Sequence, residues 1–448
     1  MAFERRCLAL ALVGGLLFGA GAAADPGKLR FLLQKAEHFE KSFEWDKAFA
    51  VYEEVLKTQR DLPGIKDRQL VALRRYWQSL RHRDLSYRKE VLGLDYGQAL
   101  QLHAVVVDTL LESSFQKTKL TPANLFRRGV EELEAALADP AFHQNHLTQA
   151  RPDALGTFRN YLARKKAESG TYSRRECQRA LRDIALSGQS TLQLPPTVSV
   201  MECACGACYG LDEYTAYLTP GQFRDLSDLL KGPVALMSSV QFGATKTADI
   251  GYLQILLFQE STPQEVDKAF AALSATGMKG LILDLRGNSG GAVESAVEVA
   301  RRFLSSGVIA SAENFDPKLS TVYHSRNPDA WSVPLILLVD GDTASASEVL
   351  AGALKENGRA RLIGEPTFGK GFSQGLVRLP DAVGNVPTGG LRLTIARFFS
   401  PKGMPYAGQG VMPDLVLPRF KPDAMNALDD QQLDEAIAEL QRHFTMVR

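Results

Sequence analysis

From about Ile250 onward, short apolar runs alternate with amphipathic stretches, and this alternation limits the folds open to the chain. "GYLQILLF" precedes "PQEVDKAFAALSATG", "GLILDL" precedes "GAVESAVEVARRFLSSG", and "PLILLVD" precedes "SASEVLAGALKENG". Continuous apolar runs suit strands buried on both faces, and apolar residues three and four apart suit the helices that cross between them. Strands joined through such crossovers run parallel, so residues 250–418 are expected to form a layered α/β domain with a largely parallel central sheet. Further short strands are expected near 359–363, 375–379 and 391–398. The tail, residues 419–448, reads as a surface helix whose acidic start suits a helix N-terminus.

A different pattern precedes this domain. Residues 25–186 are rich in Leu, Ala, Glu, Arg and Gln at helical spacing, so this half is expected to be all-helical. Within 29–62, Ala36, Phe39, Ala48, Tyr52 and Val55 have the spacing of one tetratricopeptide unit. A single unit cannot bury its own face, and no second copy follows, so an ordinary helical hairpin is the favoured reading. Such a domain could still dock a protein partner. Residues 187–249, with their prolines and the run "CACGAC", read as a linker or stapled loop.

At the N-terminus, Arg5 and Arg6 precede an apolar run from Leu8 to Phe18 and small residues up to Ala24. This is the pattern of a secretory signal, residues 1–24, cleaved after Ala24, and it implies a periplasmic or secreted protein. The run is shorter than the roughly 18 to 20 residues of a spanning helix, and no membrane span is expected elsewhere. Cleavage would leave Cys177, Cys203, Cys205 and Cys208, for which one or two disulfides are expected in an oxidising compartment. Zinc is disfavoured because C-x-C-x-x-C is not a common zinc spacing. With 52 Lys+Arg against 51 Asp+Glu there is no basic field to recruit nucleic acid.

The chemistry is expected at the strand–helix junction "GDTASASEVL". Ser345 needs a base, and the histidine nearest in sequence, His324, lies in a polar stretch that reads as a solvated loop. Lys370, in "GEPTFGKGFSQ", can serve if burial keeps its amine neutral. A helix over 346–357 rises about 18 Å at roughly 1.5 Å per residue. The return over 358–364 reaches about 23 Å at roughly 3.3 Å per residue, enough to bring Lys370 back beside the helix start. In "DLRGNSGGAV", Asn288, Gly290 and Gly291 form a turn with free N–H groups that, with the N–H of Ala346, could hold an oxyanion. Asp284 and Arg286 read as a buried ion pair supporting that turn, with Asn288 holding its loop. A competing reading makes Ser345 and Glu348 a helix-capping box, which would leave Ser345 without chemistry.

Together "DLRGNSGG", "TASASE", "PTFGKGFSQ" and "GVMPD", in this order, resemble the carboxy-terminal processing peptidases, a Ser–Lys family. The resemblance covers about residues 250–418 and implies a crotonase-like β/β/α core and polypeptide substrates, with no metal or organic cofactor. It implies Ser345 as nucleophile, Lys370 as general base, Gly291 and Ala346 as oxyanion donors, and Gln374 as the residue orienting the base. "LDEYTAYLTPGQF" resembles the segment before the family's peptide-binding PDZ module, yet only 31 residues separate Leu218 from Ile250. That is too few for an independent module, and "GPVALMSSVQFGATKTAD" is expected to keep only an edge strand and loop. An idle helical scaffold and a ligand carrier on the same core are the alternatives to a peptidase.

Overall fold

The computed structural model describes residues 26–59, 62–115, 120–231, 238–382, 384–418 and 430–446. The expected signal segment lies outside the described residues, as does the chain between 419 and 429.

Nine α-helices fill the described N-terminal half: α1 Pro26–Lys41, α2 Trp45–Thr58, α3 Ile65–Arg83, α4 Tyr96–Ser113, α5 Pro122–Ala136, α6 Pro140–His146, α7 Pro152–Glu168, α8 Arg174–Leu192 and α9 Pro196–Cys208. A π-helical turn, Tyr87–Val91, separates α3 from α4. The α1–α2 hairpin buries Leu32, Ala36, Ala48, Val51, Tyr52 and Val55 with Ile65 and Ala72 of α3, so it is closed by its neighbour rather than by a repeat. Helix α9 is buried along its whole length and packs on α4, α5 and α8.

Two expectations fail at α9. The "CACGAC" segment is the central helix of this half, not a loop, because Pro196 occupies the first turn, where a missing N–H costs nothing. Its small residues permit close packing: a Cβ on Gly206 would lie 2.5 Å from the Arg128 carbonyl oxygen. The expected disulfides are also absent, and all four described cysteines are free and buried. Cys177 and Cys203 lie in one core while Cys205 and Cys208 lie in another, each thiol buried among apolar side chains. They behave as small apolar side chains.

Helix α9 leads through residues 209–215 into β1 (Ala216–Leu218), which joins the first of two sheets. That sheet has the order β1-β10-β5-β6, with β9 also paired to β10; its other members are β5 Ser306–Asn314, β6 Thr321–Arg326, β9 Phe372–Arg378 and β10 Gly390–Phe399. After α10 (Pro220–Lys231), the expected edge strand is β2, Val240–Ala244, antiparallel to β3. Residues 232–237 lie outside the described residues.

The second sheet, β11-β8-β7-β4-β3-β2, is parallel except at β2. Its strands are β3 Ile250–Ile255, β4 Gly280–Asp284, β7 Leu335–Val339, β8 Arg361–Gly364 and β11 Leu415–Val416. Side-chain alternation divides its two faces. Leu281, Leu283, Leu335, Leu337 and Val339 pack on α11 (Thr262–Ala275), α12 (Val293–Phe303) and α13 (Ala346–Glu356). Ile282, Ile336 and Leu338 pack on Ala436, Ile437 and Leu440 of α14 (Gln431–Met446). The tail helix is thus half-buried and covers the second face of this sheet. His324, expected in a loop, is on edge strand β6, where it is exposed.

Candidate functional site

Three segments meet at the C-terminal ends of β4 and β7, where parallel sheets present their loops. The first is the turn after β4. Asp284 is fully buried and pairs with Arg286 at 2.7 Å, and Arg286 also reaches Asp430 at 2.7 Å before the tail helix. Asn288 donates from Nδ2 to the Ile255 carbonyl at 2.9 Å and accepts from the Gly290 N–H at 2.9 Å. Both roles expected for this turn, ion pair and loop anchor, are therefore found. The Phe258 N–H donates to the Gly290 carbonyl and the Ala292 N–H to the Phe258 carbonyl, each at 2.8 Å. In that parallel bridge the intervening Gly291 turns its own N–H to the opposite edge. Its φ of 128° is open only to glycine, and a side chain there would collide with the Phe258 backbone.

The second segment, 340–348, uses its three hydroxyls unequally. Thr343 Oγ1 donates to the Leu285 carbonyl at 3.0 Å, and Ser347 Oγ to the Asn288 carbonyl at 3.1 Å. Both tie this turn to the first one. Asp340 adds acceptors for the N–H groups of Gly287, Asp342 and Thr343, all at 3.0 Å. Ser345, by contrast, is half-exposed at the start of α13 with φ 58° and ψ −117°, a strained backbone for a residue with a side chain. Gly290 lies against it: a Cβ on Gly290 would sit 2.8 Å from the Ser345 Cβ and 3.1 Å from the Ala346 nitrogen. The glycine turn and the helix N-terminus, both expected as anion-holding groups, therefore flank Ser345.

The third segment carries Lys370, which is only 6% exposed. Its Nζ lies 5.1 Å from the centre of the Tyr214 ring. Burial pushes the amine down to about 7, Arg392 pushes the same way by repulsion, and Glu348, Glu213 and Asp212 oppose them. The loop is held by "GVMPD": the Val411 N–H donates to Thr367 Oγ1 at 2.7 Å, and the Thr367 N–H to the Val411 carbonyl at 3.1 Å. Gln374 is on β9, opposite Thr394, and its Nε2 donates to the Phe372 carbonyl at 3.2 Å.

Glu348 connects the second and third segments. It is fully buried, and burial raises its carboxyl against four hydrogen bonds that favour the ionised form. One oxygen, Oε1, accepts from Thr367 Oγ1 and from the Gly369 N–H, each at 2.6 Å. The other, Oε2, accepts from the backbone N–H groups of Ser345 and Lys370, each at 2.8 Å. Those two nitrogens are therefore no farther apart than twice that distance. The capping-box glutamate thus ties the backbones of Ser345 and Lys370 to one carboxylate oxygen, so a helix cap at Ser345 does not compete with placing the lysine loop beside it. What the sequence reading missed is the Glu348 contact with the lysine loop, along with Tyr214 from the segment after α9 and Arg392 from β10. The S/T-x-x-E spacing was the only signal for Glu348, and nothing in "LDEYTAYL" marked Tyr214.

Residues 249–417 match the model of peptidase family S41. That region is similar to carboxyl-terminal processing peptidases. A carboxyl-terminal-processing protease of Picosynechococcus is 37% identical over 170 residues, covering 38% of this chain and 39% of the relative. A chloroplastic C-terminal processing peptidase of Tetradesmus obliquus is 39% identical over 178 residues, covering 39% and 36%. Among solved structures, a photosystem II D1 C-terminal processing protease is 34% identical over 41% of this chain and 49% of its own, with a TM-score of 0.35. The chain spans less than half the length of each of these relatives.

Proposed function

We propose that this protein is a serine endopeptidase of the Ser–Lys type, acting on polypeptides outside the cytoplasm from a crotonase-like β/β/α core. The observation that carries the reading is the single Glu348 oxygen accepting from the backbones of both Ser345 and Lys370. The two sheets with a helical layer support the core assignment.

In this reading the neutral Lys370 amine takes the proton from Ser345 Oγ as that oxygen attacks the peptide carbonyl carbon. The carbonyl π electrons move to oxygen, and the N–H groups of Gly291 and Ala346 stabilise the resulting charge, aided by the positive end of α13. Collapse breaks the C–N bond, and Lys370 gives its proton to the departing amine. A water then attacks the Ser345 ester, losing its proton to Lys370, which returns that proton to the departing Ser345 oxygen as the acid is released. Gln374 takes the orienting part, on the strand that leaves Lys370, with its amide nitrogen fixed by the Phe372 carbonyl.

The test is purified protein incubated with an unstructured polypeptide, beside Ser345→Ala and Lys370→Ala. Cleavage by the parent and by neither variant is expected. Cleavage unaffected by both changes would overturn the assignment, and no cleavage by any form would favour an idle scaffold.

A further inference from the structure

Arg392 presents an anomaly that the reaction does not use. It is only 7% exposed, on β10 in the middle of the first sheet, and among the described residues it forms no ion pair. Buried guanidinium groups ordinarily have a carboxylate. Instead, its Nε donates to the Tyr214 carbonyl at 2.8 Å and its guanidinium lies 5.3 Å from the Trp77 ring centre, on α3. Tyr214 in turn spreads its ring beneath the Lys370 amine. One residue thus carries a cation on its carbonyl and another on its ring. The Asp212 carboxylate attracts Arg392 without forming an ion pair: its Oδ1 accepts the N–H groups of Tyr214 and Thr215 at 2.8 and 2.6 Å, and its buried Oδ2 has no hydrogen-bond partner among the described residues.

We propose that Arg392 is a positioning residue for Lys370: a second buried cation, fixed by Trp77 of the helical half and Tyr214 of the segment after α9, that disfavours a charged ammonium in the same pocket. Placing two cations near one another in a dry site is a direct way to keep a lysine neutral. The groups that face Lys370 are Glu348 from α13, Asp212, Glu213 and Tyr214 from the segment after α9, and Arg392 from β10. The carboxylates act against Arg392, and burial acts with it. Because Trp77 belongs to the helical half and Tyr214 to the segment that leaves it, that half would set the proton affinity of a group in the peptidase domain.

This inference rests on Lys370 being the base, and its test separates the two. Protein labelled with 13C at lysine Cε is titrated by NMR in a Ser345→Ala background, with the Lys370 resonance assigned by its loss in Lys370→Arg. The midpoint is expected near 7 in the parent and higher by about one unit or more in Arg392→Met. Arg392→Lys, which keeps the charge, is expected to stay near the parent, and Arg392→Gln repeats the neutral case should Met not fold. An unmoved midpoint in the neutral variants, or an equal rise in Arg392→Lys, would overturn the proposal. A shifted midpoint in a protein that cleaves nothing would sustain it while refuting the peptidase reading.

Discussion

Replacing Glu348 by glutamine probes the arrangement at its narrowest point. Each carboxylate oxygen accepts two hydrogen bonds, Oε1 from Thr367 and Gly369, Oε2 from Ser345 and Lys370. An amide has one accepting oxygen, so in either orientation its NH2 group faces two donors. A buried donor left without an acceptor costs about 1–3 kcal/mol, so two cost about 2–6 kcal/mol. The chain can retain the strained geometry and lose that much stability, or relax by moving Ser345 away from Lys370. With about 1.4 kcal/mol per factor of ten, relaxation corresponds to a loss in kcat/KM of between about 30-fold and about 20,000-fold. The assay pairs kcat/KM on an unstructured polypeptide with the unfolding free energy from urea titration. A folded Glu348→Gln protein within threefold of the parent in kcat/KM and within about 1 kcal/mol in stability would refute the reasoning.

Other expectations follow from single contacts. Activity should rise with pH through a midpoint near 7, about tenfold per unit below it, because only neutral Lys370 accepts the serine proton; a rate flat from pH 5 to 9 would contradict this. The same depression acts on folding, since the unfolded amine gains its proton near 10.5 and the folded one only near 7. Lys370→Met should therefore gain stability relative to the parent as pH falls from 10.5 to 7, with a constant difference below that, measurable by urea unfolding. Gly290→Ala should lower kcat at least about tenfold, because φ is 110° and the new methyl would lie 2.8 Å from the Ser345 Cβ. Native protein should leave Cys177, Cys203, Cys205 and Cys208 unalkylated, and unfolding without reductant should expose all four; a need for reductant would restore the disulfide reading.

The parallel sheet was legible because β4 and β7 are continuous apolar runs and the residues after them carry helical spacing. Ser345 and Lys370 were legible through local motifs and through chain lengths that let the second return to the first. The buried helix α9 was not, because prolines and clustered cysteines signal turns and staples when their surroundings are unknown. Only packing against Arg128, Gly129 and Glu132 reveals why small residues recur there. Tyr214 and Arg392 escaped for a related reason. They are 178 positions apart and meet through the Tyr214 carbonyl, a contact with no residue-type signature. Glu348 was read correctly as a cap but incompletely, since an S/T-x-x-E pattern encodes the helix start and not the loop it also holds.

The most direct measurement is covalent trapping. A fluorophosphonate, which phosphonylates an activated serine hydroxyl, is incubated with parent protein and with Lys370→Met, and the adduct is located by peptide mass spectrometry. A single adduct on Ser345 in the parent and none in the variant is the predicted result. An adduct on Ser345 formed equally fast without Lys370, or no adduct on Ser345 at all, would contradict the pairing of serine and lysine on which the function rests.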